Sequence, residues 1–321
     1  MRVGIVGATG VVGREMRSIL EERAFPVSEL RLFASSSRTE DGISYEKATA
    51  EAMTGLDLAL FAADGDVARS MAPVARDNGA LVVDNSSAFR MDPDCPLVVP
   101  EINGSLLDSH NGIVANPNCS TIVLAMALHK LPELKRVVVC TYQAVSGAGI
   151  AAQNELRDQE AAEAAGENLV ARVFPKPIAH NVIPWVQAIG DDGYSTEETK
   201  VRDELRRILE RPELPVSATC VRVPVWRAHS EAVHVELESE VSPAELASRL
   251  QGAEGVVVHE DELPTPRDVA GKDPVHIGRI RRDRAFVPGL ALWCVMDQLR
   301  KGAALNAVQI AERALGVTTD A

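Results

Sequence analysis

The sequence predicts an α/β protein with a Rossmann-like parallel-sheet domain and a second, α+β domain built on a mixed sheet. The chain has 321 residues, which is long enough for two hydrophobic cores. Near its start, short apolar segments alternate with amphipathic ones, as in βαβ units. After residue 132, several of the strand-like segments follow one another without intervening helices, which favours a mixed or antiparallel sheet.

The first domain is predicted to begin with a strand at residues 2–6 and a helix at 13–24, because Met16, Ile19 and Leu20 recur at helical spacing. We assign residues 1–120 to this domain, together with a C-terminal helix at 298–321 that packs back on it. The remaining predicted elements are strands at 30–34, 57–62 and 80–84 and helices at 67–78 and 120–131.

The second domain is assigned to residues 121–297. An alanine- and glutamate-rich stretch at 159–168 is interpreted as a solvated helix face. The predicted elements are strands at 135–145, 216–225, 232–237, 256–259, 275–281 and 284–295 and helices at 151–170, 196–211 and 243–250.

Composition narrows the functional class. The net charge of −13 and the lack of a dense basic segment argue against nucleic acid and for small-molecule partners. The five cysteines are scattered, with no CxxC pair, so we expect neither a disulfide framework nor a metal site. A reducing compartment follows, and we expect a cytoplasmic protein, since no apolar stretch reaches the roughly 18 residues of a membrane span.

A glycine-rich loop connects the first strand to the first helix. Gly7 suits a tight turn, Gly10 lets the backbone approach a pyrophosphate, and Gly13 lets the helix pack close to the sheet. The helix N-terminus then offers N–H groups to phosphate. This context favours dinucleotide binding over a glycine turn without a ligand.

The residues at the end of the second strand indicate which dinucleotide the chain binds. NAD enzymes usually place an acidic residue there, whereas this chain has Ala34, Ser35, Ser36, Ser37 and Arg38. Hydroxyls and a guanidinium suit a 2′-phosphate, so the sequence favours NADP. A polar turn with an exposed arginine remains the alternative.

Cys119 is the candidate nucleophile. It follows Asn116, Pro117 and Asn118 and precedes an apolar helix, where the helix dipole and free N–H groups lower a thiol pKa. The other four cysteines lie in or beside apolar strands and are expected to be buried core residues. Local chemistry alone leaves a catalytic and a structural role for Cys119 equally open.

Three other polar segments are weaker candidates. His229 opens a strand after Arg222, and a histidine near a thiolate can act as a general acid and base, although most histidines are structural. Glu197 and Lys200 lie in the first turn of a helix that Ser195 could cap, where acidic residues are common. Residues 86–90 follow a strand end, where α/β sheets bind ligands.

Taken together, these segments resemble the aspartate-semialdehyde dehydrogenase family over the whole chain and in order. The resemblance includes the glycine loop, the segments 84–90 and 116–121, and the stretch from Thr141 to Gly149. It is completed by 222–231, 264–267 and 299–304, and it implies a second domain for catalysis and dimerisation.

The resemblance implies roles for individual residues. Cys119 attacks the carbonyl carbon, His229 moves protons and Gln143 positions the substrate. Arg222 binds the substrate carboxylate, Glu197 its amino group, and Arg90 and Lys200 its phosphate, with Asn118 also at the substrate. The cofactor contacts implied are Gly7, Thr9, Gly10, Val11, Val12, Ser35, Ser37, Arg38, Asn85, Ser146, Gly147 and Gln298.

The implied reaction reduces L-aspartyl 4-phosphate with NADPH to L-aspartate 4-semialdehyde and phosphate through a Cys119 thioester. It belongs to the biosynthesis of lysine, threonine, methionine and diaminopimelate, and the family forms homodimers or homotetramers. The chain departs from the pattern at Asp64 and Asp66, whose charges would repel phosphate, and at Gln298, where asparagine is usual.

Two rival interpretations stay open. An N-acetyl-glutamyl-phosphate reductase shares the thioester chemistry, but its substrate has no free ammonium group for Glu197. A dehydrogenase-like binding protein without catalysis should lack the nucleophile or the base, and both Cys119 and His229 are present.

Overall fold

The computed structural model describes residues 1–318 and divides into two compact units. The first unit comprises Met1–Asn118 and the segment that begins at Gly302, and the second comprises Cys119–Lys301. Of the C-terminal helix predicted at 298–321, positions 319–321 lie outside the described residues. None of the described helices combines the length and hydropathy that a bilayer crossing requires.

The first unit is built on a seven-stranded sheet in the order β3-β4-β2-β1-β5-β6-β7. All neighbouring strands are parallel except the β3–β4 hairpin, which extends the sheet beyond β2. The elements are β1 (Arg2–Val6), α1 (Val11–Glu22), β2 (Glu29–Ala34), β3 (Arg38–Glu40), β4 (Ile43–Lys47), β5 (Leu58–Phe61), α2 (Gly65–Asp77), β6 (Leu81–Asp84), α3 (Pro100–Asn103), β7 (Ile113–Ala115) and, after the second unit, α9 (Leu305–Leu315).

Helix α9 packs against α1 and β6 and contributes to the same hydrophobic core as β1 and β5. The helix is shorter than the one predicted from the sequence. Gln298 lies in a turn, and a π-helical segment, Arg300–Ala304, precedes α9. Gly316, at a φ of 64°, ends the helix because glycine adopts the left-handed conformation without steric cost.

The second unit is built on a six-stranded mixed sheet in the order β11-β12-β13-β10-β8-β9. The β8–β9 and β11–β12 pairs are parallel and the other pairs are antiparallel. The elements are α4 (Cys119–Leu128), β8 (Leu134–Gln143), α5 (Ile150–Ala164), α6 (Thr196–Ile208), β9 (Val216–Arg222), β10 (His229–Leu237), α7 (Pro243–Leu250), β11 (Val256–His259), α8 (Pro266–Val269), β12 (Val275–Arg282) and β13 (Gly289–Met296).

These two sheets confirm the predicted fold class, with corrections to some elements. The helix predicted at 151–170 ends at Ala164, and the stretch taken as a solvated face starts with a buried residue, Gln159. The Gln159 side-chain oxygen accepts the N–H groups of Ile178 and Ala179, so it fastens the irregular segment that follows. The strand predicted from 284 starts only at Gly289, because Asp283 folds the preceding residues into a turn.

Candidate functional site

The glycine loop of the first unit has the form of an anion-binding turn. Gly7 has a φ of 85°, and a side chain there would meet the Ala62 carbonyl oxygen at 2.4 Å. A side chain at Gly13 would meet the Gly7 carbonyl oxygen at 2.4 Å, so α1 packs close only because this residue is glycine. Gly10 is the N-cap of α1 and supplies no side-chain cap, while Thr9, Val11 and Val12 complete the loop and first turn. The N–H groups of this turn therefore face no capping oxygen.

The polar residues after β2 lead into the β3–β4 hairpin rather than a simple turn. Ser35, Ser37 and Arg38 are exposed, and the Ser37 hydroxyl oxygen accepts the Lys47 N–H at 2.9 Å. The Arg38 guanidinium lies over the Tyr45 ring, 5.7 Å from its centroid. Asp66, the acidic departure at the start of α2, pairs with Arg69 at 2.7 Å, which offsets its charge.

Asn85 and Arg90 lie together after β6. The Arg90 guanidinium donates to the backbone oxygens of Asn85 at 2.7 Å and Asn116 at 2.9 Å. Asn85 donates from Nδ2 to the Phe61 oxygen, while its buried Oδ1 has no hydrogen-bond partner in the described part of the chain. An unsatisfied buried oxygen at a strand end is suited to a ligand donor. Asn118, also buried, ends this unit.

Cys119 is the first residue of α4, whereas the sequence predicted it just before a helix at 120–131; the helix ends at Leu128. Its helix packs on β10, β12 and β13 and is buried over its remaining length. Cys95, Cys220 and Cys294 are buried, as expected, and burial raises the pKa of the Cys220 and Cys294 thiols. Cys140, predicted to be a core residue, is instead partly exposed on the sheet.

Three predicted site residues lie at adjacent strand ends of the second sheet. Gln143 at the end of β8 pairs in register with Arg222 at the end of β9. His229 begins β10, which continues the antiparallel pairing with β8 from Ser230 and Tyr142 onward. All three side chains are buried, so the strand ends form one polar row.

The backbone of Ala144 connects His229 and Arg222. Its N–H donates to His229 Nδ1 at 3.0 Å, and its carbonyl oxygen accepts from Arg222 at 2.6 Å. The neutral imidazole therefore carries its hydrogen on Nε2, which is buried and without a hydrogen-bond partner among the described residues. Burial, with a smaller contribution from the Arg222 charge, lowers the pKa of His229 well below its ordinary value.

Arg222 is a buried cation, and no carboxylate lies within ion-pair distance of it in the part of the chain that the structure describes. Burial lowers the pKa of its guanidinium, and the nearby Glu197 carboxylate opposes that shift. A buried guanidinium is costly unless an anion pairs with it. This position is therefore suited to binding an anionic group.

Glu197 lies at the centre of a hydrogen-bond network. Its two carboxylate oxygens accept from Gln143 Nε2 at 3.0 Å and Gln187 Nε2 at 3.1 Å. Lys200 donates to the Gln187 oxygen at 2.7 Å and lies 3.7 Å from the Glu197 carboxylate. Thr141 donates to the Gln143 side-chain oxygen at 3.1 Å, so the oxygen and the nitrogen of the Gln143 amide are both hydrogen-bonded.

Ser195 caps α6, and the adjacent residues Glu197 and Glu198 have different contacts. The Ser195 hydroxyl and the Glu198 side chain form a capping box, and Glu198 also accepts the Cys220 N–H at 2.9 Å. Glu198 is therefore structural, whereas Glu197 belongs to the network around Gln143.

Ser146, Gly147 and Gln298 also lie around this row. Gln298 donates from Nε2 to the Ser146 hydroxyl and accepts the Ala228 N–H at 2.9 Å. A side chain at Gly147 would come within 3.2 Å of the His229 ring and 3.3 Å of the Arg222 guanidinium. The turn after β8 is therefore open beside the imidazole only because residue 147 is glycine.

The predicted site residues thus form two groups. The first unit holds those from Gly7 to Asn118, and the second holds Cys119 and the polar row with its neighbours. Sequence reasoning missed Gln187, which lies in an irregular segment without a pattern. It also passed over Glu231, although a charged residue two positions after His229 interrupts an apolar alternation.

Comparisons with known proteins give a consistent result. The family models for the semialdehyde dehydrogenase NAD binding domain and the semialdehyde dehydrogenase dimerisation domain match residues 2–110 and 125–301. The chain is 48% identical to an aspartate-semialdehyde dehydrogenase of Aquifex aeolicus and 47% identical to one of Streptomyces akiyoshiensis. Each alignment covers 97% of this chain and 97% or 98% of the relative.

A solved structure is similar over the same length. The crystal structure of aspartate semialdehyde dehydrogenase II from Vibrio cholerae, complexed with ASA, superposes with a TM-score of 0.92 at 40% identity. The match covers 98% of each chain.

Proposed function

Because the chain belongs to the aspartate-semialdehyde dehydrogenase family, we propose that it reduces L-aspartyl 4-phosphate to L-aspartate 4-semialdehyde and phosphate with NADPH, reversibly. The products would serve the biosynthesis of lysine, threonine, methionine and diaminopimelate. The observation that carries the proposal is the buried row of Arg222, Gln143 and His229 in the unit whose first helix begins at Cys119.

Cys119 is the proposed nucleophile. Its sulfur forms a bond to the acyl carbon of the substrate while the bond from that carbon to the phosphate oxygen breaks, which leaves a thioester and free phosphate. NADPH, when bound, supplies the hydride that reduces the thioester carbon. An electron pair on the oxygen of that carbon then re-forms the carbonyl group. The bond from the carbon to the Cys119 sulfur breaks, and Cys119 leaves as a thiolate.

His229 is proposed to stabilise the oxygen that becomes negative in these steps. The Ala144 N–H at Nδ1 fixes the tautomer, so Nε2–H is the group available to donate. The same contact opposes protonation of Nδ1, in agreement with the low pKa of the ring. Nε2 already carries the ring hydrogen, so the proton exchange expected of His229 would require that hydrogen to move to Nδ1, with loss of the Ala144 contact, before Nε2 could accept a proton.

The substrate groups match the remaining side chains by charge. Arg222 is proposed to bind the α-carboxylate, which would give the buried guanidinium its missing anion. Glu197 would bind the ammonium group, with Gln143 held beside it. Lys200, Arg90 and Asn118 are proposed to bind the phosphate.

The nucleotide is proposed to bind the first unit. The glycine loop, the uncapped start of α1 and the unsatisfied Asn85 oxygen fit a dinucleotide pyrophosphate and its neighbouring groups. Ser35, Ser37 and Arg38 would contact the 2′-phosphate of NADP. Ser146, Gly147 and Gln298 are the proposed cofactor contacts of the second unit.

We further propose a homodimer formed through the second unit, and a cytoplasmic location. Along β8, Val138, Cys140 and Tyr142 are partly exposed, while the alternate residues are buried. Ala232 and Trp293 extend this face across two strands, and the Tyr142 and Trp293 rings lie 5.5 Å apart. An exposed apolar sheet face is suited to a second copy of the chain. The five unbridged cysteines support a reducing compartment.

A spectrophotometric assay that follows NADPH tests the reaction. Purified protein should form NADPH from NADP when it receives aspartate semialdehyde together with phosphate, and it should be much slower without phosphate or with NAD. N-acetyl-glutamate semialdehyde should be a poor substrate because it has no ammonium group for Glu197. Activity with the acetylated aldehyde alone would favour the rival reductase.

A further inference from the structure

The β3–β4 hairpin contains a carboxylate that joins two guanidiniums. Glu40 Oε1 lies 3.3 Å from Arg14 Nη2, and Glu40 Oε2 lies 3.3 Å from Arg38 Nε. Arg14 is on the first helix, and Arg38 is the first residue of β3. Two cations from different elements thus converge on a single side-chain anion.

This cluster lies next to the proposed nucleotide site. Arg14 Nε donates to the Thr9 carbonyl oxygen at 3.1 Å, which connects the cluster to the glycine loop. Arg14, Glu40, Asp41 and Tyr45 line a surface cavity of about 280 Å³ within the first unit. In dinucleotide-binding folds the adenosine ribose is recognised beyond the end of the second strand, and the hairpin follows β2 there.

We propose that Glu40 is an internal substitute for the 2′-phosphate of NADP, holding Arg14 and Arg38 in place and leaving them when the phosphate binds. This inference rests on the proposed NADP specificity. A phosphate dianion offers more charge and more acceptor oxygens than a carboxylate, so it can replace Glu40 on the same two guanidiniums. Arg14 then becomes a specificity residue.

The exposure of the cluster makes such an exchange feasible. The side chains of Arg14, Glu40 and Arg38 retain between 38% and 50% of their solvent exposure. Exposed ion pairs contribute little net free energy, so breaking them costs little. The displaced carboxylate can turn to water, but its charge remains close enough to oppose the incoming phosphate.

Binding of 2′,5′-ADP and 5′-AMP tests the proposal without any turnover. These probes differ only in the 2′-phosphate, and calorimetric titration gives their dissociation constants. Glu40→Gln should tighten 2′,5′-ADP binding by roughly three- to tenfold at low salt and change 5′-AMP binding less than twofold. The gain should shrink near 1 M salt, where the Debye length is about 3 Å.

Two controls make the result specific. Asp41→Asn removes the same charge from the same cavity without touching either pair, so it should give a clearly smaller gain. In an Arg14→Gln background, Glu40→Gln should lose most of its effect, because one of the shared cations is gone. Equal gains from Glu40→Gln and Asp41→Asn would overturn the proposal.

Two other outcomes distinguish a failure of the Glu40 proposal from a failure of the NADP preference. If Glu40→Gln leaves 2′,5′-ADP binding unchanged and weakens 5′-AMP binding, Glu40 holds a ribose hydroxyl instead and the present proposal is wrong. If the unmodified protein binds 2′,5′-ADP no better than 5′-AMP, it is the NADP preference that fails.

Discussion

At the scale of single residues, the structure separates two adjacent glutamates that the sequence presents as equivalent first-turn acids. Glu197 accepts from Gln143 and Gln187, while Glu198 closes the capping box of α6. The family resemblance gave a role to Glu197 alone, and the positions of Gln143 and Gln187 supply the physical reason, since neither residue is near α6 in a recognisable motif.

Matched substitutions test that separation. Glu197→Gln should lower kcat/KM for aspartate semialdehyde by roughly ten- to hundredfold, mainly through KM, because a charge-assisted bond to the ammonium group is lost. Glu198→Gln should leave KM unchanged and lower the unfolding free energy by about 1 kcal/mol through the weakened cap. Steady-state kinetics and urea denaturation of both variants measure this, and a shared KM defect would contradict the assignment.

Glu231 is a second residue whose buried environment the sequence did not predict, although its charge interrupts an apolar alternation. It is fully buried in β10, paired in register with Thr141 and Cys294. Burial raises its pKa well above the ordinary value, and the Ser120 hydroxyl offsets this only in part. The carboxyl is therefore neutral in the folded protein over a pH range in which it ionises in the unfolded chain.

Because the pKa of Glu231 is raised in the folded state, the free energy of unfolding should decrease as pH rises. As pH rises above about 4.5, the unfolded state loses the proton that the folded state keeps, so folding weakens by up to about 1.4 kcal/mol per pH unit. Glu231→Gln removes this effect and should gain stability over the parent between pH 5 and pH 8. Urea denaturation across that range measures it, with exposed Glu238→Gln as the control. A pH-independent difference would show that Glu231 is not buried as a neutral acid.

At the scale of elements, periodicity predicted the central strands and helices because their burial follows a regular alternation. It failed where single side chains terminate or redirect the chain. Asp283 delays β13, and Gly316 ends α9. The β3–β4 hairpin was missed because its exposed, charged strands carry no apolar pattern. The helix start next to Cys119 was predicted because its signal is local.

Helix α9 stabilises the turn that precedes the nucleophile segment. Buried Asn306 donates to the Asn116 side-chain oxygen at 2.6 Å and to the Val98 backbone oxygen at 3.0 Å. Asn306→Ala should therefore lower the unfolding free energy by about 2–3 kcal/mol, because two buried acceptors lose their donor. Chemical denaturation measures the loss, and exposed Thr318→Ala is the control. A loss below about 0.5 kcal/mol would contradict this role.

At the scale of the whole molecule, the fold class and the two-sheet organisation followed from how strands and helices alternate along the chain. The polar row did not, because strand order places β9, β8 and β10 side by side although they are far apart in sequence. Only the family resemblance related Arg222, Gln143 and His229 before the structure did.

The proposed dimer is a property of this larger scale. Ala232→Arg places a charge in the middle of the exposed apolar face and should convert the dimer to a monomer. Light scattering coupled to size exclusion measures the mass, and Ser70→Arg on α2 of the first unit should leave it unchanged. A dimeric Ala232→Arg protein would place the interface elsewhere.

The central claim is that Cys119 carries the substrate as a thioester, and a rapid-mixing experiment without phosphate tests it most directly. With aspartate semialdehyde and NADP, the enzyme should produce a burst of one NADPH per subunit and then stall. Mass spectrometry of the quenched protein should find an aspartyl group on Cys119, and Cys119→Ser should show neither burst nor adduct. A stoichiometric burst in Cys119→Ser, or an adduct on another residue, would contradict the account.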